Sequence, residues 1–305
     1  CLLGDNVRYN GGHKRDRFLT DTFGHYVEWV PVCPEVECGL PTPRPAMRLV
    51  GDPDDPRLVT SNEGEDKTPQ MKEWAGERLD DLEDENLCGF ILMNNSPSSG
   101  LHRVKVYDEN GVPRKVGRGI WAAAFTDRFP LLPVEDDGRL HDPVLRETFI
   151  EALFAMQRYR QFLQDDGSVG GLVAFHTNHK MQLLAHGETT YREMGRLVAN
   201  AKQMEREDLF ERYQGLLMDT LRQPATVREN CNTLMHMMGY FKEDLTGDEK
   251  QELLGVIEQY RHGFVPLIVP ITLLRHYVRK YDASYLKRQT YLNPHPMELQ
   301  LRNHA

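Results

Sequence analysis

Cysteine is scarce in this chain. Its 305 residues hold five, with no even framework of spacings, which argues against a disulfide-built secreted domain. It favours a reducing, cytoplasmic compartment, where thiols stay free or bind metal. Long apolar runs are missing: no stretch of about 18 residues reads as a membrane-spanning helix, so no membrane partner is expected. Nothing resembles a signal peptide, and Cys1 stands where an initiating methionine would, so the chain is expected to begin inside a longer one. Internal repeats and low-complexity tracts are absent. An excess of positive charge is lacking too, with 37 Lys and Arg against 46 Asp and Glu, a formal net charge of -9. Residues 1–147 carry all of that excess and residues 148–305 are balanced, while residues 261–305 hold seven Lys or Arg against two acids. An acidic chain with one basic face still accommodates nucleic acid, so the net charge does not exclude an RNA partner.

What is present describes a globular protein, 40% hydrophobic and 27% charged, long enough for two domains. The first half reads as short apolar strands followed by helices. "HYVEWVPV" (25–32) and "LCGFILM" (87–93) are strand-like, each stopped by a turn-forming stretch. Residues 68–86 and 17–26 have helical character, and "GDPDDPRLVTSNEGED" (51–66) reads as a solvated loop. Strands alternating with helices predict an α/β domain with a mostly parallel sheet, in which ligands sit beyond the carboxyl ends of the strands. From about residue 141 the pattern changes to six apolar-periodic segments separated by Gly, Pro or acidic breaks. A seventh, "PLIVPITLLRHYVRKY", carries Pro266 and an interior Pro270 and is expected to kink. The expectation is therefore an α/β domain over 1–140, with its boundary in 133–145, and an all-α domain over 141–305.

The residues that carry chemistry line up on predicted strand ends. Cys1 opens the chain, Cys33 and Glu35 follow the 25–32 run, and "NNSPSSG" (94–100) follows the 87–93 run. Were these strands parallel neighbours, all three loops would meet at one sheet edge. The Cys33-x4-Cys38 spacing fits loose zinc or iron–sulfur patterns but lacks a second pair. By themselves, the cysteines also read as small buried hydrophobes, Glu35 as a cap beside Pro34, and Ser96 and Ser98 as a locally bonded turn.

Four segments carry a resemblance: "CLLGDNVRYNGGHK", "PVCPEVECGLPTPRPAMRLVG", "NEGED" and "GFILMNNSPSSG". They resemble the thiouracil desulfidase (TudS) family. "SPSSGLHRVKVYDENGVP", with "VAFHTNHKMQLLAH", "YREMGRLVAN" and "YRHGFVPLIVPITLLRHYVRKY", is similar to its longer members, in which a helical domain is fused and the substrate is 4-thiouridine in tRNA. The resemblance implies a [4Fe-4S] cluster held by three protein ligands, with one iron left open for the sulfur of a thiocarbonyl. Carried over by motif, Cys1 and Cys33 are two ligands, and the third position, a cysteine in the family, is Ser99 here. A serine oxygen is a harder donor than a thiolate. Cys38, five residues past Cys33, is a second candidate for that role, whereas Cys88 lies at the far end of the predicted strand. In this reading Glu35 is the general base on a water and Ser96 or Ser98 bonds the base edge or relays a proton.

Arg8, Tyr9, His13, Lys14 and Arg15 follow the first loop, and Arg103 and Lys105 follow the serine turn. They are candidates for holding phosphate or ribose, against the plainer reading of a solvated charged surface. In the helical half, His176 and His179 share a helix face with Lys180 and His186 nearby. A zinc site there lacks the usual partner pattern, and core packing or RNA contact is the better reading. Met235, Met237 and Met238 read as core filler. Residues 275–294 interleave Arg275, Arg279, Lys280, Lys287 and Arg288 with four tyrosines, which suits a folded RNA or an amphipathic helix with inward tyrosines. The expected function is non-redox desulfidation of 4-thiouridine in tRNA, the helical domain recruiting the tRNA. Its rivals are a desulfidase of free thiouracil and a non-enzymatic RNA-binding protein.

Overall fold

The computed structural model describes residues 1–304 and divides into two compact units, Cys1–His141 and Asp142–Ala305. The first is α/β and the second is all-α.

In the first unit a one-turn helix α1 (Pro34–Glu37) precedes β1 (Met47–Val50) and β2 (Arg57–Thr60). Then follow α2 (Thr68–Glu83), β3 (Phe90–Leu92), β4 (Val104–Tyr107), β5 (Pro113–Gly117), α3 (Ile120–Arg128) and β6 (Val134–Asp136). Four strands form one sheet in the order β2-β1-β4-β5, and β3 with β6 forms another. The β1–β4 and β3–β6 pairs are parallel; β1–β2 and β4–β5 are antiparallel hairpins. Side chains alternate across a strand, so Leu49, Leu58, Val104 and Val106 pack on one face against Met71 and Ile120. Lys105, between the two valines, is exposed.

Two local expectations are corrected. Residues 25–32 form no strand, because they find no ladder partner; Trp29 packs edge-on against Phe23 at 5.9 Å instead. The supposed loop 51–66 contains β2, whose Leu58, Val59 and Thr60 are buried. The helical expectations hold better. α2 begins at Thr68, whose hydroxyl accepts from Leu58 N at 2.8 Å while its own N–H donates to Asp66. Its buried residues Thr68, Met71, Ala75, Leu79 and Leu82 keep helical spacing. Residues 18–25 make two short irregular helical turns.

The second unit comprises α4 (Pro143–Asp165), α5 (Val169–His186), α6 (Glu188–Ala199), α7 (Arg206–Leu221), α8 (Val227–Met238), α9 (Gly247–Arg261), α10 (Ile268–Lys280) and α11 (Ser284–Lys287). The starts are written in the sequence. Asp142 caps α4 and Ser168 caps α5, while Thr226 with Glu229 and Thr246 with Glu249 form capping boxes on α8 and α9. The expected kink in 266–281 is absent because α10 starts only at Ile268, which leaves Pro270 in the first turn, where no intrahelical N–H is required. Met237 and Met238 are buried with Leu234, Phe241, Ile271, Leu274 and Tyr277, whereas Met235 is exposed.

Candidate active site

Cys33 sits in extended conformation just before α1, with Pro34 opening the helix. Its N–H donates to Glu37 Oε1 at 2.6 Å, so the turn caps itself. One turn of helix then presents the Glu35 carboxylate across to the serine loop. Glu35 Oε1 accepts the Ser98 hydroxyl proton, and Oε2 lies 3.9 Å from Cys33 Sγ and 3.7 Å from Arg44 Nη2. Burial, and secondarily the charge of Glu35, pushes the Cys33 thiol above its ordinary value.

The serine loop is rigid for reasons that its sequence supplies. Ser96 Oγ accepts from the Ser98 and Ser99 N–H groups at 3.3 and 3.1 Å, and Gly100 N closes the turn on Ser96 O at 2.8 Å. The Ser98 carbonyl accepts from Trp121 N and Ala122 N at the start of α3. This close approach requires Gly119, where an added Cβ would lie 2.2 Å from the Ser98 oxygen. The Ser96 and Ser98 hydroxyls are 2.8 Å apart, and the Ser99 hydroxyl is 3.4 Å from that of Ser98. All three serines are buried. A continuous hydrogen-bonded run thus leads from Glu35 through Ser98 to Ser96, with Ser99 beside it.

Cys1 is held at the end of β3. Its thiol is 3.4 Å from Met93 Sδ, and its carbonyl accepts from Gly4 N and Lys14 N. Lys14 Nζ reaches Asp137 at 2.6 Å and Asn94 at 3.1 Å, and Asp137 also accepts from Asn94 N at 2.7 Å. The first loop is therefore tied to the carboxyl ends of both β3 and β6. Arg44, which the sequence reading missed, ties it to the Cys33 turn: Nη1 donates to Val7 O at 3.1 Å and its backbone N donates to Tyr9 O at 2.8 Å. The three expected loops do come together, although not as the ends of three parallel neighbours.

Two thiols, Cys1 and Cys33, are free and of the soft type that suits an iron–sulfur group, whereas the third position carries the harder hydroxyl of Ser99. Cys38 is engaged elsewhere, its thiol donating to Glu35 O at 3.3 Å inside an apolar cluster. Cys88 donates to Asn86 O at 3.7 Å.

The charged candidates separate into tied and untied groups. Arg8 lies over the Tyr9 ring at 5.4 Å, Arg15 pairs with Asp21, and Lys14 is committed as described. Arg103 and Lys105 are exposed with no ion pair among the described residues, Arg103 in left-handed conformation. In the helical unit Arg275 donates to Leu292 O, Lys280 pairs with Glu249, and Lys287 pairs with Asp282. Tyr277 and Tyr291 are buried, which is the amphipathic-helix alternative. Arg279 and Arg288 remain exposed with no ion pair among the described residues.

His176 and His179 are core residues. His179 donates through Nδ1 to Phe175 O and accepts at Nε2 from Arg158, and burial depresses it to about 3. His176 bonds Tyr213 and is depressed by burial to about 4. No helix among the described residues is long and apolar enough to cross a membrane.

Comparison with known proteins agrees with this division. Residues 1–137 match the 2-thiouracil desulfurase family, and residues 180–296 match the family described as "Protein of unknown function (DUF1722)". "Uncharacterized protein YbgA" of Escherichia coli (strain K12) is 31% identical over 152 residues, spanning 50% of this chain and 90% of YbgA. Among solved structures, the [4Fe-4S]-dependent thiouracil desulfidase TudS (DUF523Vcz) is similar, at 31% identity and a TM-score of 0.38, over 47% of this chain and 89% of that one. The chain thus joins a domain of the 2-thiouracil desulfurase family, over residues 1–137, to a YbgA-like DUF1722 domain behind it.

Proposed function

We propose that the chain removes sulfur from thiolated uracil, with 4-thiouridine in tRNA as substrate and uridine as product. The observation that supports this reading is the placement of Glu35, whose carboxylate spans from the Cys33 thiol to the buried hydroxyls of Ser98 and Ser96. The reaction exchanges C=S for C=O: water adds to the carbon, sulfide leaves, and no electrons are consumed. A [4Fe-4S] cluster on Cys1, Cys33 and Ser99, when bound, would supply a Lewis acid for the thiocarbonyl sulfur.

The residues of the chain perform the proton work. Glu35 takes a proton from the attacking water as general base. In the resting state the Ser98 hydroxyl donates to Glu35 and accepts from Ser96, so the acceptor oxygen is held in one direction before substrate arrives. Once Glu35 is protonated it passes that proton to the departing sulfide, so that both hydrogens of the attacking water leave with the sulfur, and the Ser98 hydroxyl resumes its bond to the carboxylate. Burial of this run limits competing solvent.

The test is anaerobic turnover of 2-thiouracil and of thiolated tRNA by the full chain and by Glu35→Gln. The expected loss on Glu35→Gln is about 10²–10⁴-fold; turnover within about threefold of the parent would remove Glu35 from the mechanism. A second reading, desulfidation of free thiouracil alone, draws support from the internal pairing of Arg275, Lys280 and Lys287. That pairing leaves Arg279 and Arg288, among the described residues, as the free cations of the expected RNA-binding segment.

A further inference from the structure

We propose that Arg44 is a positioning residue of this site, holding the Glu35 carboxylate toward Ser98 from a base anchored in the first loop. The proposal rests on the reading of Glu35 as the general base.

An arginine is seldom buried unless its charge and donors are satisfied, yet the Arg44 side chain is only 6% exposed. Its Nη1 donates to Val7 O at 3.1 Å and Thr42 Oγ1 at 3.2 Å, with Pro41 O at 3.4 Å. These acceptors belong to two separate loops and fix the plane of the guanidinium. The other arm, Nη2, then faces Glu35 Oε2 at 3.7 Å, and the Glu35 side chain is itself only 14% exposed. The two carboxylate oxygens are thereby assigned, Oε1 to Ser98 and Oε2 to the cation. Without Arg44, Oε2 would face only the Cys33 thiol at 3.9 Å, and the carboxylate would be free to turn away from the serine. A lysine offers one ammonium and cannot span Val7 O and Glu35 together, so it should replace the charge and not the orientation. Arg44 makes no hydrogen bond to the serines or to Cys1 and Cys33, although its charge also favours the Cys33 thiolate, so its orienting contact is with Glu35.

The test is a double-mutant cycle of Arg44→Met and Glu35→Gln in the full chain, with Arg44→Lys as the charge-retaining control. For Arg44→Met on 2-thiouracil, kcat should fall about 10–100-fold with KM little changed, the size expected of a misplaced catalytic group. In the Glu35→Gln background the same change should cost less than about twofold, because its target is gone. Arg44→Lys should restore less than half of the loss on a logarithmic scale. A second readout needs no turnover: iodoacetamide labelling of Cys33 in the iron-free full chain, followed by peptide mass spectrometry. Compared at matched thiolate fraction, because the Arg44 charge also favours the Cys33 thiolate, Arg44→Met should label several-fold faster than the parent, since the turn beside the thiol is released. Losses that multiply in the cycle, full recovery by lysine, or labelling at the parent rate would each overturn the proposal. Should the parent itself release no sulfide from thiouracil, the desulfidase reading fails, and the labelling comparison alone decides whether Arg44 holds the turn.

Discussion

Arg302→Met should unfold the helical domain well before the parent, for a reason visible in its partners. The Arg302 side chain is 5% exposed, donating through Nε to Glu147 at 3.1 Å, through Nη1 to Tyr291 O at 2.6 Å, and through Nη2 to Glu151. Glu151 is 2% exposed. Burial alone would push its carboxyl up, but Arg302 and then His186 hold it well below the usual range. His186 faces Gln223 O through Nδ1 at 2.6 Å and Glu151 through Nε2 at 3.0 Å. Both neighbours are acceptors, so both nitrogens must donate and the ring is an imidazolium. Removing the guanidinium strands the Glu151 carboxylate on His186 alone, and breaking a buried pair in this way costs about 3–5 kcal/mol. For a domain of this size that corresponds to about 6–20 °C in the domain's melting transition, read by calorimetry on the full chain. Adding Glu151→Gln to the variant should recover part of the loss, since the stranded charge is gone. The network also predicts a pH window. Burial opposes the His186 charge, but its bond to Glu151 raises the group above its ordinary 6.5. Its contribution is therefore complete below about 6.5 and fades as pH rises through the folded value. The depressed Glu151 contributes above its ordinary 4.5 and fades as pH falls through its folded value. A shift under about 2 °C for Arg302→Met, with an unchanged pH profile, would refute this reasoning.

Two further expectations concern the sites themselves. Gly119→Ala forces a Cβ to within 2.2 Å of the Ser98 carbonyl, so it should destabilise the first domain by about 1–3 kcal/mol. It should also slow turnover by displacing Ser98, a loss that Gly76→Ala, on the exposed face of α2 with open space around it, should not reproduce; kinetics beside thermal melts separate the two effects. Neutralising Arg279 and Arg288 together should weaken tRNA turnover about tenfold or more at moderate salt, because two cations that attract backbone phosphates are removed, and leave 2-thiouracil turnover within twofold. Equal loss on both substrates would count against a recruiting role for that surface.

Helices and their starts were legible because their signals are local. Thr226 and Glu229, or Thr246 and Glu249, stand three residues apart and satisfy each other's backbone donors, and Met71, Ala75 and Leu79 repeat along one face of α2. Strands were harder, since a strand is defined by a partner. The apolar run 25–32 has the composition of a strand but no ladder, while Arg57–Thr60, in an acidic stretch, pairs with Met47–Val50. The site motifs were visible in the Cys33-Pro-Glu35 and Ser96-Pro-Ser98 spellings. What the sequence concealed was pairing at long range. Nothing near Lys14 announces Asp137, and nothing near Lys280 announces Glu249, so cations that read as free for phosphate are in part structural. Arg44 was missed for the same reason, being an arginine in a proline-rich turn whose burial only the folded loops create.

The most direct test is the iron and acid-labile sulfide content of the anaerobically purified parent and of Ser99→Cys. The account predicts about four irons and four sulfides per chain in both, with the parent releasing sulfide from thiouracil. Iron in Ser99→Cys alone would remove Ser99 as a ligand, and iron in neither chain would contradict the iron–sulfur desulfidase reading itself.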